Sequence, residues 1–176
     1  MLRQLRRSIL LALCMAALCG LGYPLLVTGV ATALFPVQAR GSLGPNGSAL
    51  IGQAWTGPRW FHGRPDPYTP MASGAANLGP RSRALAAQVA ARLAAWHRLG
   101  VAPTSELVLG SGSGLDPDIS PRSAYVQVAM VARARHLPVG AVRRLVQSQV
   151  QGPELGFLGE PVVNVLQVNE RLARLR

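Results

Sequence analysis

Charged residues vanish from the chain between Arg7 and Arg40, and positions 8 to 35 read SILLALCMAALCGLGYPLLVTGVATALF. A bilayer core of ~30 Å needs only about 20 apolar residues in helical conformation. The run therefore predicts a membrane-spanning helix that is tilted or bent. Pro24, which follows Gly20, Gly22 and Tyr23, supplies a cause for a bend, because proline removes one helical donor. Beyond the run the pattern divides into a loop-rich segment, 36–80, and a periodic segment, 81–176.

The loop-rich segment is dense in Gly, Pro, Ser and Asn, yet it carries Leu50, Ile51, Trp55, Trp60, Phe61 and Tyr68. Those side chains are too many and too large for a solvated tether, so the segment is expected to pack on something, a partner included. From Pro80 the apolar positions Leu85, Val89, Leu93 and Trp96 fall on one face of a helix that Gly100 and Pro103 end. Glu106–Leu109 reads as a short strand leading into the glycine-serine run 110–114. Ser120-Pro121 opens a second helix, with Tyr125, Val128, Ala129 and Ala132 on its stripe and Arg133 and Arg135 at its negative end. A third helix spans 139–150. Val162–Val168 is β-branched enough for a buried strand, and Asn169 is placed to cap a last short helix. The fold class is α+β: one N-terminal transmembrane helix (8–35) behind a basic N-terminus (1–7), followed by one domain (36–176).

Charge refines this picture. The net charge is +11, but every basic residue is arginine and the arginines are scattered from 3 to 176 without aromatic interleaving. That distribution speaks against a nucleic-acid surface. Three arginines precede the apolar run and only Arg40 lies close behind it, which predicts a cytoplasmic N-terminus and an extracytoplasmic domain. A cleavable signal peptide with a cut near Ala31-Thr32-Ala33 would need an apolar core about half this length. A lipoprotein is excluded because Leu13 and Leu18 precede Cys14 and Cys19. Both cysteines lie in the apolar run, so the outer domain must hold by packing alone.

The chemistry-bearing residues point to no catalytic constellation. A P-loop would need Gly-Lys-Ser/Thr after the glycines, and Leu115-Asp116 stands there instead. The three histidines lack metal-ligand spacing. Asp116 and Asp118 flank Pro117 as turn carboxylates, and Glu154 and Glu160 flank a glycine-rich loop. Residue chemistry reads as an anchored accessory or binding domain.

A series of blocks carries a resemblance: Gly22-Tyr23-Pro24-Leu25-Leu26, Phe35-Pro36-x-Gln38-Ala39, Gly47-Ser48-x-Leu50-Ile51-Gly52-Gln53 and Phe61-His62-Gly63-Arg64-Pro65. Asn77-Leu78-Gly79-Pro80, the Ser-Gly-Ser-Gly-Leu-Asp-Pro run through Gly114, Leu115, Asp116 and Pro117, Arg133-x-Arg135, and Glu160-Pro161 through Asn164 to Asn169 complete it. In that order they resemble the KdpC family, a component of the bacterial Kdp-type potassium-transporting P-type ATPase. Asp66, Ala76, Asp118 and the Leu137–Ala141 stretch depart from the family's usual residues. The resemblance implies a subunit without catalysis of its own in the inner membrane. Its implied partners are a channel-like potassium-binding subunit, an ATP-hydrolysing subunit, a very small membrane subunit and the lipid bilayer. It also implies a catalytic chaperone that raises the hydrolysing subunit's affinity for ATP, with ATP as the associated nucleotide. Tyr23, Pro24, Gly52, Gln53, Gly63, Arg64, Pro65, Asn77, Gly114, Leu115, Asp116, Pro117, Arg133 and Asn164 are the motif or interface candidates. A secreted or anchored binding domain without a pump partner is the alternative.

Overall fold

A computed structural model describes residues 1–175. The chain divides into two compact units, Met1–Leu43 and Gly44 onward.

The first unit is dominated by one continuous helical run, Leu2–Leu34, whose 33 residues are long and apolar enough to cross a membrane. It comprises α1 (Leu2–Ala17), a π turn (Leu18–Gly22) and α2 (Tyr23–Leu34). The π turn has an evident cause. Pro24 has no N–H to give Gly20, and its ring would strike the Gly20 carbonyl. One wider turn relieves both problems, and Tyr23 N–H accordingly donates to Leu18 O, five residues back. Farther along, Thr32 Oγ1 donates to Thr28 O at 2.7 Å, which satisfies the hydroxyl within the helix itself. The short helix α3 (Pro36–Ala39) follows.

At the junction β1 (Leu43–Gly44) and β2 (Gly47–Ser48) make a short local ladder. The second unit is then built from α4 (Arg83–Arg98), a 3-10 turn (Ser105–Leu107), β3 (Asp118–Ile119), α5 (Pro121–Tyr125), α6 (Val128–Arg135), α7 (Val139–Ser148), β4 (Val150–Gln151), β5 (Val162–Asn164) and α8 (Val165–Arg174). The sheet order is β3-β5-β4, antiparallel throughout, with Ile119 and Val150 both opposite Val163. Val163 is thus the hub, fully buried in one core with Val142, Val146, Val168 and Leu172. The α+β class expected from the pattern is the class observed.

Four local expectations need correction. Helix α4 begins after Ser82, not at Pro80, because Ser82 Oγ accepts from Leu85 N and serves as the cap. Its far end closes as expected. Gly100 N bonds His97 O and Val101 N bonds Trp96 O, a Schellman closure with Val101 and Trp96 together in the core. The strand expected at 106–109 is a 3-10 turn. Arg92 Nη1 donates to Val108 O at 2.8 Å and Trp96 Nε1 to Leu107 O at 3.0 Å, so side chains meet the acceptors that a neighbouring strand would have used. The second helix breaks into α5 and α6 at Gln127, whose side-chain amide donates to Ser123 O at 3.0 Å, four residues back. Finally, the apolar run 162–168 is strand only to Asn164. Asn164 Oδ1 accepts from Gln167 N and caps α8, and Asn169 is not a cap but a buried residue within that helix.

The aromatic residues of the loop-rich segment pack on this domain's own core. Phe61 is wholly buried, with Trp55 and Trp60 against the same cluster and their rings 5.0 Å apart. Two amide side chains hold this stretch like the edges of a sheet. Phe61 N donates to Asn169 Oδ1 and Asn169 Nδ2 donates back to Phe61 O, both at 2.9 Å. His62 N donates to Gln127 Oε1 at 2.8 Å, and Gln127 Nε2 donates to His62 O at 3.0 Å. Neither amide would find such partners unless the loop ran there, so each satisfied pair fixes the loop's path.

Candidate functional site

The loop that Phe61 anchors continues through Gly63, Arg64 and Pro65 and turns back at Tyr68, which adopts a left-handed φ of 49°. Tyr68 Oη donates to Arg64 O at 2.6 Å. Burial, followed by the nearby charges of Asp66 and Asp116, holds the phenol well above its ordinary pKa, so it stays a donor. Arg64 Nε lies 3.1 Å from Asp116 Oδ2, an ion pair of half-buried side chains in which Nε makes no hydrogen bond. Asp116 Oδ1 accepts from Asp118 N at 3.0 Å across Pro117. Asp118 Oδ1 accepts from Asn164 Nδ2 at 2.9 Å, and that same nitrogen donates to Ala49 O. Burial raises the Asp118 pKa, against the Asn164 hydrogen bond, with Asp116 adding to the rise. Pro117 O accepts from Val165 N at 3.0 Å, and Leu115 O from Gly52 N at 2.8 Å.

The glycines in this cluster answer to distance. A Cβ on Gly52 would collide with the Tyr68 ring and stand 2.5 Å from Asp116 O. Gly114 has φ of 68°, and a Cβ there would stand 2.5 Å from Gly74 O. Either position therefore accepts no larger residue without moving backbone.

Nine of the candidate residues meet in this one place: Gly52, Gly63, Arg64, Pro65, Gly114, Leu115, Asp116, Pro117 and Asn164. Gln53 lies beside them. Together they form a lock that ties the 44–80 segment to β3, β5 and the start of α8. Arg133 is elsewhere, with Nη2 donating to Leu99 O at 3.3 Å. Asn77 sits exposed in a left-handed turn, and Tyr23 and Pro24 belong to the helical unit.

Beside the lock lies a cleft of about 340 Å³ whose lining includes Trp55, His62, Arg64, Tyr68, Arg92 and Trp96. His62 Nε2 is 2.9 Å from Gly57 O, and its ring meets Trp96 edge-on at 5.5 Å. Burial lowers the His62 pKa despite the carbonyls of Gly57 and Trp55, which favour the charged form. Trp55 Nε1 is buried without a hydrogen-bond partner.

The nucleotide implied by the resemblance does not fit the glycine-serine run. Phosphates need free N–H donors or cations. In the glycine-serine run Asp66 takes that place, with Oδ1 accepting from Ser111 N at 2.7 Å and Oδ2 from Ser111 Oγ at 2.6 Å. Ser111 Oγ in turn accepts from Gly114 N. A carboxylate in the nest repels a phosphate.

The family model described as K+-transporting ATPase, c chain, matches residues 5–174. The chain belongs to the KdpC family. A KdpC subunit of a potassium-transporting ATPase from Allorhizobium ampelinum is 50% identical, over 98% of this chain and 96% of its own length. One from Methylobacterium nodulans is 48% identical over 99% and 98%. Another, from Acidobacterium capsulatum, is 44% identical over 99% and 100%.

Three residues matter here more than their sequence signal suggests. Gln127 and Asn169 hold the loop, yet Gln127 shows in the sequence only as an amide among apolar helix positions and Asn169 only as a helix cap, which it is not. Asp66, which stands out in the sequence only as a departure from family habit, is the partner of Ser111.

Proposed function

We propose that the chain is the accessory KdpC subunit of an ATP-driven potassium pump and is not itself catalytic. It would span the inner membrane once, with its N-terminus in the cytoplasm and its folded domain outside. Its partners are the channel-like potassium-binding subunit, the ATP-hydrolysing subunit and the small membrane subunit. It stabilises their assembly and raises the hydrolysing subunit's affinity for ATP. The coupling runs through packed elements with two arrangements and needs no nucleotide on this chain. The observation that carries the reading is the extent of the family match, residues 5–174, which takes in the apolar helix and the domain together.

The domain's chemistry supports a scaffold. The polar residues of the motif blocks are engaged with one another or with the departing carboxylates: Arg64 with Asp116, Asp66 with Ser111, Asp118 with Asn164. Such a network sets the shape of a surface more readily than it moves protons. Affinity purification of the tagged full chain from detergent-solubilised membranes tests the reading. Co-elution of the other pump subunits is expected, and elution alone would make the chain an anchored binding domain of some other kind.

A further inference from the structure

Between β4 and β5 the chain runs out and back through a loop closed by a reciprocal pair of backbone bonds. Glu154 N donates to Leu158 O and Leu158 N to Glu154 O, both at 2.9 Å. The enclosed turn is forced. Leu155 has φ of 53°, and Gly156 and Gly159 have 83° and 84°. A leucine adopts the left-handed region only where its surroundings impose it. Here the imposed geometry turns apolar side chains outward: Leu155 is 82% exposed, Phe157 74% and Leu158 50%.

The charges around this tip are as unusual as its backbone. The chain has seven carboxylates against a net charge of +11. Five are bonded inside the domain: Asp66 to Ser111, Glu106 to Ser120 and Ser123, Asp116 to Arg64, Asp118 to Asn164, and Glu170 to Asn46. The other two are Glu154 and Glu160, exposed and without a side-chain partner among the described residues. They stand at the two feet of the apolar tip.

We propose that loop 154–160 is a docking knob that seats in an apolar socket, rimmed by basic side chains, on another protein subunit of the pump. The inference rests on the proposed function and names a contact that reading leaves open. A lipid surface is the wrong occupant, because anionic headgroups draw basic flanks and repel two glutamates. A second copy is also disfavoured. No arginine lies within 154–160, so the knob would seat on a different patch of the second copy, and copies would join head to tail and propagate without closing.

The test uses membranes carrying the whole pump, with a benzophenone analogue of phenylalanine at position 157 and, as an exposed control, at Val139. Irradiation should join Phe157 to one pump subunit about tenfold more than the control, as for a buried aromatic anchor. The paired change Glu154→Arg and Glu160→Arg should lower that adduct about fivefold. Adducts only with lipid, only with a second copy, or at control level while the subunits still co-purify overturn the knob alone. An adduct unchanged by charge reversal overturns the basic rim. If the unaltered chain does not co-purify with the pump subunits, the proposed function falls and takes the knob with it.

Discussion

At the scale of single residues, the domain is held by contacts that leave no spare room. Gly52 sits between the Tyr68 ring and the Asp116 carbonyl. Gly52→Ala should destabilise the domain by about 3 kcal/mol, since one of two backbones must move. All three tryptophans, Trp55, Trp60 and Trp96, lie in the second unit, so a urea titration followed by tryptophan fluorescence reads this loss directly. His62 makes a pH prediction. Its folded pKa is lowered below the unperturbed 6.5, so the unfolded chain binds the proton more readily than the folded one. Stability is therefore full above 6.5 and falls as pH drops through that value toward the folded one. His62→Gln should flatten that slope in the same fluorescence assay. A slope unchanged by the substitution would place the titrating group elsewhere.

At the scale of elements, helix ends and side-chain amides decide more than periodicity does. Asn164 caps α8, bonds Asp118 and holds Ala49 O, so three segments share one residue. Asn164→Ala should cost about 2 kcal/mol, part from the cap and part from acceptors left unmet. The expected sign is a lower urea midpoint with little change in slope. The apolar stripe of α4 and its stop at Gly100 were legible in the sequence, because capping and periodicity are local, whereas the third helix ends at Ser148, short of the expected 150, because Val150 pairs in β4. The extent of β5 was not. A β-branched run suits a strand or a buried helix face equally well, and only the cap at Asn164 separates them. The strand expected at 106–109 fails for a complementary reason: Arg92 and Trp96, distant in sequence, take the carbonyls. The lock itself was half visible. Its motif residues stood out one by one, but their convergence on Tyr68 depends on a path through space that Asn169 and Gln127 enforce.

At the scale of the whole molecule, sidedness is the property on which the functional reading depends. Three arginines in the first turns of the helix, ahead of its uncharged stretch, argue for an N-terminus inside and a domain outside. Met71 is almost fully exposed in that domain. A Met71→Cys variant should react with an impermeant maleimide in intact cells, and reaction only after permeabilisation would reverse the orientation. Under the proposed function, a domain outside would act on a cytoplasmic ATP site only by biasing a structural equilibrium, and it could shift that equilibrium by no more than its own differential affinity for the two states.

The π turn in the helical unit carries a consequence for how such a helix meets its neighbours. Successive residues of an α-helix advance by about 100° around the axis, so one extra residue in a turn rotates everything after it by about that much. A ridge of side chains that runs straight up to Ala17 is thus out of line from Tyr23 onward. A straight neighbour aligned with one half would face a different set of side chains in the other. The helical run is in effect two short rods with offset faces, and a companion helix that matches one half would not match the other.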